Sequence, residues 1–303
     1  MEYSIVIPVY NSQDSLSKLY DRISETLKKL TQDFEVIFID DFSTDNSWEK
    51  LMQLKKEHSN VKLIRFSKNY GQHNATLCGF RYSAGDRVVT IDDDLEEDPA
   101  DILLLIEKMN ATNAELIYGI GDKNRSSARE IGSNLYKQSA KYVDGKQGNS
   151  SSFRLIESSL LEKIKNHKQH FIIIEELLFW YTEMIDYVVV NHSPRKHGKS
   201  GYSPLKIFKL ITNTSLNYSN WPLKFMTYGG AVLSFVSFLL GLYFMYKKVF
   251  LNISVPGFTA LIVAIFFSTS LLLLCFGIVG KYLNNIYIVL NNKPTYSIKE
   301  VVL

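Results

Sequence analysis

Two kinds of apolar pattern alternate over the first 120 residues. Short, nearly unbroken apolar runs read as strands: YSIVIPV, FEVIFID, VKLIRF, DRVVTID and AELIYGI. Between them, apolar residues return at helical spacing, as Leu16, Leu19, Ile23, Leu27 and Leu30 do in SLSKLYDRISETLKKL. NSWEKLMQLKKEH, GQHNATLCGFRYSAG and PADILLLIEKMN also predict helices. Strands separated by helices of this length form βαβ units and a mostly parallel sheet. Runs as apolar as IVIPV fit strands covered on both faces.

From residue 125 to 191 the pattern loosens. REIGSNLYKQSAKYV predicts a helix, SSFRLI a short strand, IIIEELLFWYTEMI a helix with Trp180 in the core, and DYVVVNH a strand. SPRKHGKSGYSP is a basic, glycine-containing loop. LKIFKLITNTSLNYSNW reads as an amphipathic helix on a membrane surface, with Trp221 as its interface anchor. Two uncharged runs follow, residues 225–246 and the stretch between Lys248 and Lys281. A membrane span needs about 20 apolar residues, and both runs reach that length. The expected organisation is an α/β domain over 1–203, a juxtamembrane helix over 204–222, a two-helix transmembrane hairpin over 223–283 and a tail over 284–303.

Charge adds the orientation. MEYSIVIPVYN does not read as a signal peptide, so the α/β domain and both termini are expected in the cytoplasm. Lys206, Lys209, Lys224, Lys281, Lys293 and Lys299 agree with the positive-inside rule, whereas Lys247 and Lys248 in the hairpin oppose it. A formal net charge of +3 gives no concentrated basic surface for nucleic acid. Cys78 and Cys275 lie in different regions and are not expected to pair, as fits a reducing compartment.

The fourth strand ends in VVTIDDDLEEDP. In open α/β sheets, ligands bind outside the carboxyl ends of the strands. The strands here end in Tyr10-Asn11, in Asp40-Asp41, near Asn69, and in Asp92-Asp93-Asp94, so these groups face one crevice. Asp92, Asp94 and Glu96 alternate and share a side. Carboxylates gathered in this way suit Mg²⁺ or Mn²⁺, which keeps waters and takes other ligands from substrate phosphates. Asp98-Pro99 with Asp101 reads as a helix start, and Glu97 as solvated.

IVIPVYN, VIFIDDFSTDNS, NYGQHNATLCGF and VVTIDDDLEEDP resemble the successive motifs of family 2 glycosyltransferases. With GKSGYS and the two apolar runs, the chain resembles the polyprenyl-phosphate sugar transferases over essentially its whole length. The resemblance implies a GT-A nucleotide-sugar fold in which Asp92 and Asp94 form the DxD pair holding a divalent metal on the donor diphosphate. Pro8, Tyr10, Asn11, Asp40, Asp41, Asn69 and Asp93 would serve the donor. Arg125 and Arg129 would meet the acceptor phosphate. The chain departs from the family pattern at Phe42, where glycine is usual, at Glu96, where glutamine is usual, and at Lys199, where an acid is common. These departures leave the sugar open. The resemblance also implies a homo-oligomer, a tetramer.

Chemically, a lipid phosphate arrives at the site already ionised, so transfer needs no strong general base, and none stands out. The task is to stabilise the departing diphosphate with metal and preorganised cations. Arg125, Arg129, Arg154, Arg195 and Lys199 are the candidates, with Lys199 and Ser200 on a loop placed as a lid. His73 serves the pocket or caps its helix; His192 and His197 flank the basic loop. The reading is an inverting, metal-assisted glycosyltransferase of the inner or plasma membrane. It moves sugar from a nucleotide to undecaprenyl phosphate on the cytoplasmic face. The alternatives are transfer to another lipid or glycan, and a silent nucleotide-binding membrane subunit.

Overall fold

The computed structural model describes residues 1–121, 151–165, 172–191, 221–251, 257–291 and 294–303. The chain divides into two units, one built around a sheet and one containing two long helices. The sheet unit begins with β1 (Tyr3–Val9), α1 (Leu16–Leu27), β2 (Phe34–Asp40), α2 (Ser47–Glu57), β3 (Val61–Phe66), α3 (Gln72–Tyr82) and β4 (Arg87–Thr90). A 3₁₀ turn at Pro99–Asp101 runs into α4 (Ile102–Ala111), followed by β5 (Leu116–Gly121). Then come β6 (Arg154–Glu157), α5 (Ser158–Lys165), α6 (Ile174–Tyr181) and β7 (Ile185–Val190). Every strand and helix expected among these residues forms. REIGSNLYKQSAKYV and, apart from Trp221 and Pro222, the juxtamembrane helix lie outside the described residues.

Among the described residues the strands, with Ile298–Val302 as β8, form one sheet in the order β7-β5-β6-β4-β1-β2-β3-β8. β4, β1, β2 and β3 run parallel, as do β5 and β7, while β6 is antiparallel to both its neighbours. The sheet is therefore mixed but mostly parallel. Its core lies on both faces. Ile5, Ile7 and Val9 of β1 pack with Leu16, Leu19 and Ile23 of α1, and with α2 and α4. Val6 points the other way, with Ile37 and Ile39, into a second cluster with α3, α5 and α6. This is the period-2 alternation of a strand buried on both sides. α3 lies so close to the sheet that a Cβ on Gly79 would come within 2.2 Å of Val6 Cγ1.

β8 (Ile298–Val302) was not expected. The sequence assigns 284–303 to a tail, yet Ile298–Val302 pairs antiparallel with β3 and widens the sheet by one edge strand. Two further readings are corrected. Trp180 is 46% exposed rather than in the core: it projects from the outer side of α6, whose inner side carries Ile174, Leu177 and Leu178. Glu97 is 4% exposed rather than solvated, because Leu95 takes a positive φ of 60° and the chain turns inward after the strand.

The second unit contains α7 (Trp221–Leu251) and α8 (Phe258–Leu290). Within α8, Ala264–Leu290 is long and apolar enough to cross a membrane, with a mean hydropathy of 1.9. Its side chains lie exposed, among them Phe266, Phe267, Leu273 and Phe276. In α7 the apolar stretch among the described residues is Phe225–Ser237. Among the described residues one helix, not the expected two, meets the length and composition of a span.

Candidate functional site

The chain order explains where a cavity forms. From β1 it moves to β2 and β3 on one side and then returns to β4 on the other. At such a switch point the loops leaving two adjacent parallel strands diverge, and a crevice opens between them. Here those loops follow β1 and β4. A cavity of about 300 Å³ opens there, lined by Pro8, Val9, Tyr10, Asp41, Asn69, Gly71, Gln72, Asp92, Asp93 and Asp94.

Three non-glycine residues take left-handed conformations directly after residues that line it: Asn11 (φ 55°), Phe42 (φ 65°) and Leu95 (φ 60°). Asparagine tolerates that conformation and is fixed by its neighbours. The Asn11 amide donates to Ser43 Oγ (3.0 Å), and the Thr44 amide donates to Asn11 Oδ1 (2.8 Å). Asn11 thus ties the β1 loop to the β2 loop and does not line the cavity. Tyr10 does line it and is 49% exposed.

The two aspartates ending β2 separate in role. Asp40 is fully buried, 3.1 Å from Arg65 Nε, and accepts from the Ser43 amide at 3.0 Å. It braces the loop from below. Asp41 is on the cavity side, where its two carboxylate oxygens accept from the amides of Tyr70 (2.6 Å) and Gly71 (2.8 Å). Asn69 Nδ2 donates to the Asp41 carbonyl (3.3 Å). Burial pushes the Asp41 carboxyl up to about 6 despite these bonds.

At the end of β4, Asp92 accepts from Gln72 Nε2 (2.7 Å) and Ser152 Oγ (2.9 Å). Asp93 accepts from the Tyr10 amide (3.0 Å), which locks the β1 and β4 ends together. Asp94 Oδ1 accepts from the Glu96 amide (3.1 Å). Burial, and then the charges of Asp94 and Asp93, push Asp92 up to about 7. Asp93 is pushed up to about 6, again first by burial. Glu97 rises to about 8 through burial and the charges of Asp92 and Asp94. This is an acidic recess whose charges are poorly compensated without a cation.

Among the described residues, no group of three or more His, Cys, Asp or Glu side chains is set to hold a metal ion. Glu96 is not among the lining residues, and the expected three-carboxylate set is not assembled. The oxygen donors of Asp92 and Asp94 on one cavity wall still fit a hard divalent ion that draws most of its shell from phosphate and water.

Arg154 stands behind the site rather than in it. It is 2% exposed, with Nη2 3.0 Å from Glu175 Oε1 and Nε donating to Thr90 Oγ1 (3.0 Å). Its guanidinium lies over the Tyr118 ring at 5.7 Å. Burial raises the Glu175 carboxyl, but Arg154 outweighs that and holds it below its ordinary value. A buried pair of this kind fixes geometry more than it adds stability. Here it fixes the β4 end that carries Asp92. His73 neither lines the cavity nor caps its own helix: its Nδ1 faces the Ile174 amide at 3.4 Å. Asp98 is the expected cap, accepting from the Ala100 amide at 2.9 Å.

Arg125, Arg129, His192, Arg195, His197, Lys199 and Ser200 lie outside the described residues. The sequence reading omitted Val9, Gly71 and Gln72 from the cavity, and Ser152 and Glu175 from its support. Gly71 carried a signal: it precedes a helix and takes a φ of 90°.

A family model described as glycosyl transferase family 2 matches residues 4–167. The chain is 28% identical to a prophage-derived bactoprenol glucosyl transferase of Shigella flexneri, over 99% of this chain and 98% of that one. It is likewise 28% identical to an undecaprenyl-phosphate 4-deoxy-4-formamido-L-arabinose transferase of Serratia proteamaculans, over 99% and 93%. Among solved structures, glucosyl-3-phosphoglycerate synthase of Mycobacterium tuberculosis superposes with a TM-score of 0.52 at 15% identity, over 70% of this chain and 76% of that one. That likeness is one of fold.

Proposed function

The chain belongs to glycosyl transferase family 2, and from that premise we propose that it moves a sugar from a nucleotide donor to a polyprenyl phosphate at a membrane surface. One observation carries the reading: three aspartates ending β4 meet the carboxyl end of β1 in one cavity, at the switch point of the sheet. The acceptor class is supported by full-length relatives whose names specify bactoprenol or undecaprenyl phosphate. The donor class is supported by the fold, which the mycobacterial synthase shares and presents in complex with Mn²⁺ and UDP-glucose.

In this reading Pro8, Tyr10, Asn69 and Asp41 border the nucleotide, and Asp92 and Asp94 would hold Mg²⁺ or Mn²⁺. The ion, when bound, offsets the charge of the departing diphosphate and of the recess itself. Gln72 and Ser152 hold both oxygens of Asp92 and so fix its orientation. Asp93 holds the β1 end through the Tyr10 amide, which keeps the cavity in shape before donor arrives. The acceptor phosphate oxygen bonds to the anomeric carbon as the bond to the diphosphate breaks, with inversion. Glu175, held ionised by Arg154, is not suited to accept a proton, and an ionised acceptor asks for none. Arg125, Arg129, Arg195, Lys199 and Ser200 are assigned to the acceptor phosphate.

A two-span anchor, with the sheet unit in the cytoplasm, is part of the same reading. β7 and β8 belong to one sheet, yet α7 and α8 lie between them in sequence. A chain that leaves a domain and returns to it crosses a membrane an even number of times. If α8 crosses, α7 is the candidate for the other crossing.

The test is mass spectrometry of the lipid fraction after detergent-solubilised protein is incubated with Mn²⁺, undecaprenyl phosphate and a panel of UDP-, GDP- and dTDP-sugars. A hexosyl or pentosyl mass added to the lipid phosphate with one donor is the expected result. Sugar appearing only on another acceptor would transfer the reading to that acceptor. Bound donor with no product in any arm would favour a silent subunit.

A further inference from the structure

We propose that Tyr296, on the segment that follows the two long helices, is a positioning residue for the donor pocket. This inference rests on the reading of the cavity as a donor site. Tyr296 stacks on Phe66 at the end of β3, with ring centroids 4.9 Å apart and planes 18° apart. Phe66 in turn meets Tyr70 edge-on at 5.5 Å. The amides of Tyr70 and its neighbour Gly71 are the two donors that hold the Asp41 carboxylate at the cavity wall.

The contact is anchored on both sides. The Ser67 amide donates to the Ser297 carbonyl (2.9 Å) where β8 begins to pair with β3. Arg81, in the last turn of α3, donates from Nη1 to the Tyr296 hydroxyl (3.0 Å), with its guanidinium 5.4 Å from the ring centre. The same Arg81 donates from Nε to the Lys165 carbonyl (3.1 Å).

Residues 67–71 form no regular element. They span from the β3 end to a left-handed glycine, and beside the Ser67–Ser297 bond two contacts from outside the loop fix their geometry near the pocket. One is Asp41, inside the cavity; the other is the Phe66–Tyr70–Tyr296 stack, outside it. Aromatic contacts of this kind prefer defined offsets and angles, so they set the position of a loop rather than merely cover it. A segment C-terminal to the apolar helices thereby supports a wall of the pocket near the N-terminus. Donor affinity is expected to depend on that segment's docking.

The experiment compares full-length wild-type protein with Tyr296→Ala, Tyr296→Leu and Tyr296→Phe in detergent. Binding of UDP, of GDP and of dTDP, each with Mn²⁺, is measured by calorimetry, and hydrogen exchange is followed over residues 67–72. Tyr296→Ala should weaken binding of the preferred nucleotide about fivefold or more and speed exchange in 67–72, while β1 and β2 exchange as in wild type. Tyr296→Phe keeps the stack and should restore both to wild-type values. If Tyr296→Ala does not fold, Tyr296→Leu, which keeps apolar bulk without the ring, carries the same expectation. Wild-type affinity and wild-type loop exchange in the folded Ala or Leu variant would overturn the proposal. Failure of wild-type protein to bind any of the three nucleotides would instead overturn the donor-site reading beneath it.

Discussion

Phe42 has a φ of 65° and a side chain 38% exposed beside the cavity. A bulky residue in the left-handed region costs roughly 1–2 kcal/mol, and such strain concentrates at functional positions. Phe42→Gly should therefore raise the melting temperature by about 2–4 °C for each kcal/mol released, read by thermal unfolding. An unchanged or lower value would mean the ring earns its place by packing. Asp94→Ala should leave the melting temperature within a few degrees and lower metal-dependent turnover by about 100-fold or more, as loss of a charge-stabilising group does.

The pH dependence has a definite sign. The folded values of Asp41, Asp92 and Asp93, at about 6, 7 and 6, lie above the ordinary aspartate value. The folded state then holds these protons more tightly than the unfolded chain, so ionisation destabilises. That cost is absent below about pH 4, where both states are protonated, and complete above about pH 7. Metal-free protein should lose melting temperature between about pH 4 and 7, less so for Asp92→Asn and less so with Mn²⁺. Equal slopes in all three would contradict the electrostatic account. At this scale the acidic turn was legible, because three acids cannot share the end of a buried strand without a purpose. The division between Asp40 and Asp41 was not. Which of two neighbours faces the cavity depends on where the strand ends and how Phe42 turns the chain.

The strands and helices of the sheet unit were legible because each buries a face with its own period. α3 illustrates the physics: its glycine at 79 meets Val6 and Ile39, and a Cβ would lie 2.2 Å and 2.9 Å from their side chains. Gly79→Ala should cost about 1–3 kcal/mol through overpacking, seen as a lower melting temperature with the fold retained; an unchanged value would mean α3 can shift outward freely. β8 escaped because IKEVV is short, carries two charges on exposed positions and finds its apolar partners only in the β3 edge. Edge strands carry little pattern of their own, and a pairing across more than 230 residues of chain leaves no local mark. The support of Asp92 by Gln72 and Ser152 was hidden for the same reason: neither side chain announces its partner.

For the whole molecule, β8 fixes a topological requirement. With β7 and β8 in one sheet, the segment between them must begin and end on the same side of any membrane it enters. Cysteines introduced singly at Ser254 and Leu303, in a Cys78→Ala, Cys275→Ala background, should label from opposite sides of intact inverted and right-side-out vesicles. Labelling of both from one side would refute the two-span anchor. The apolar pattern of the sequence could propose two spans, but only the returning strand ties their number to the fold.

The account rests on the acidic cavity being the place where donor diphosphate and lipid phosphate meet. The most direct measurement is nucleotide release by wild type and Asp94→Ala side by side, with the donor identified by lipid mass spectrometry, with and without undecaprenyl phosphate, in Mn²⁺ or chelator. The account predicts release by wild type only when lipid phosphate and metal are both present, and almost none by the variant. Release by Asp94→Ala at the wild-type rate, or wild-type release untouched by chelator, would contradict it.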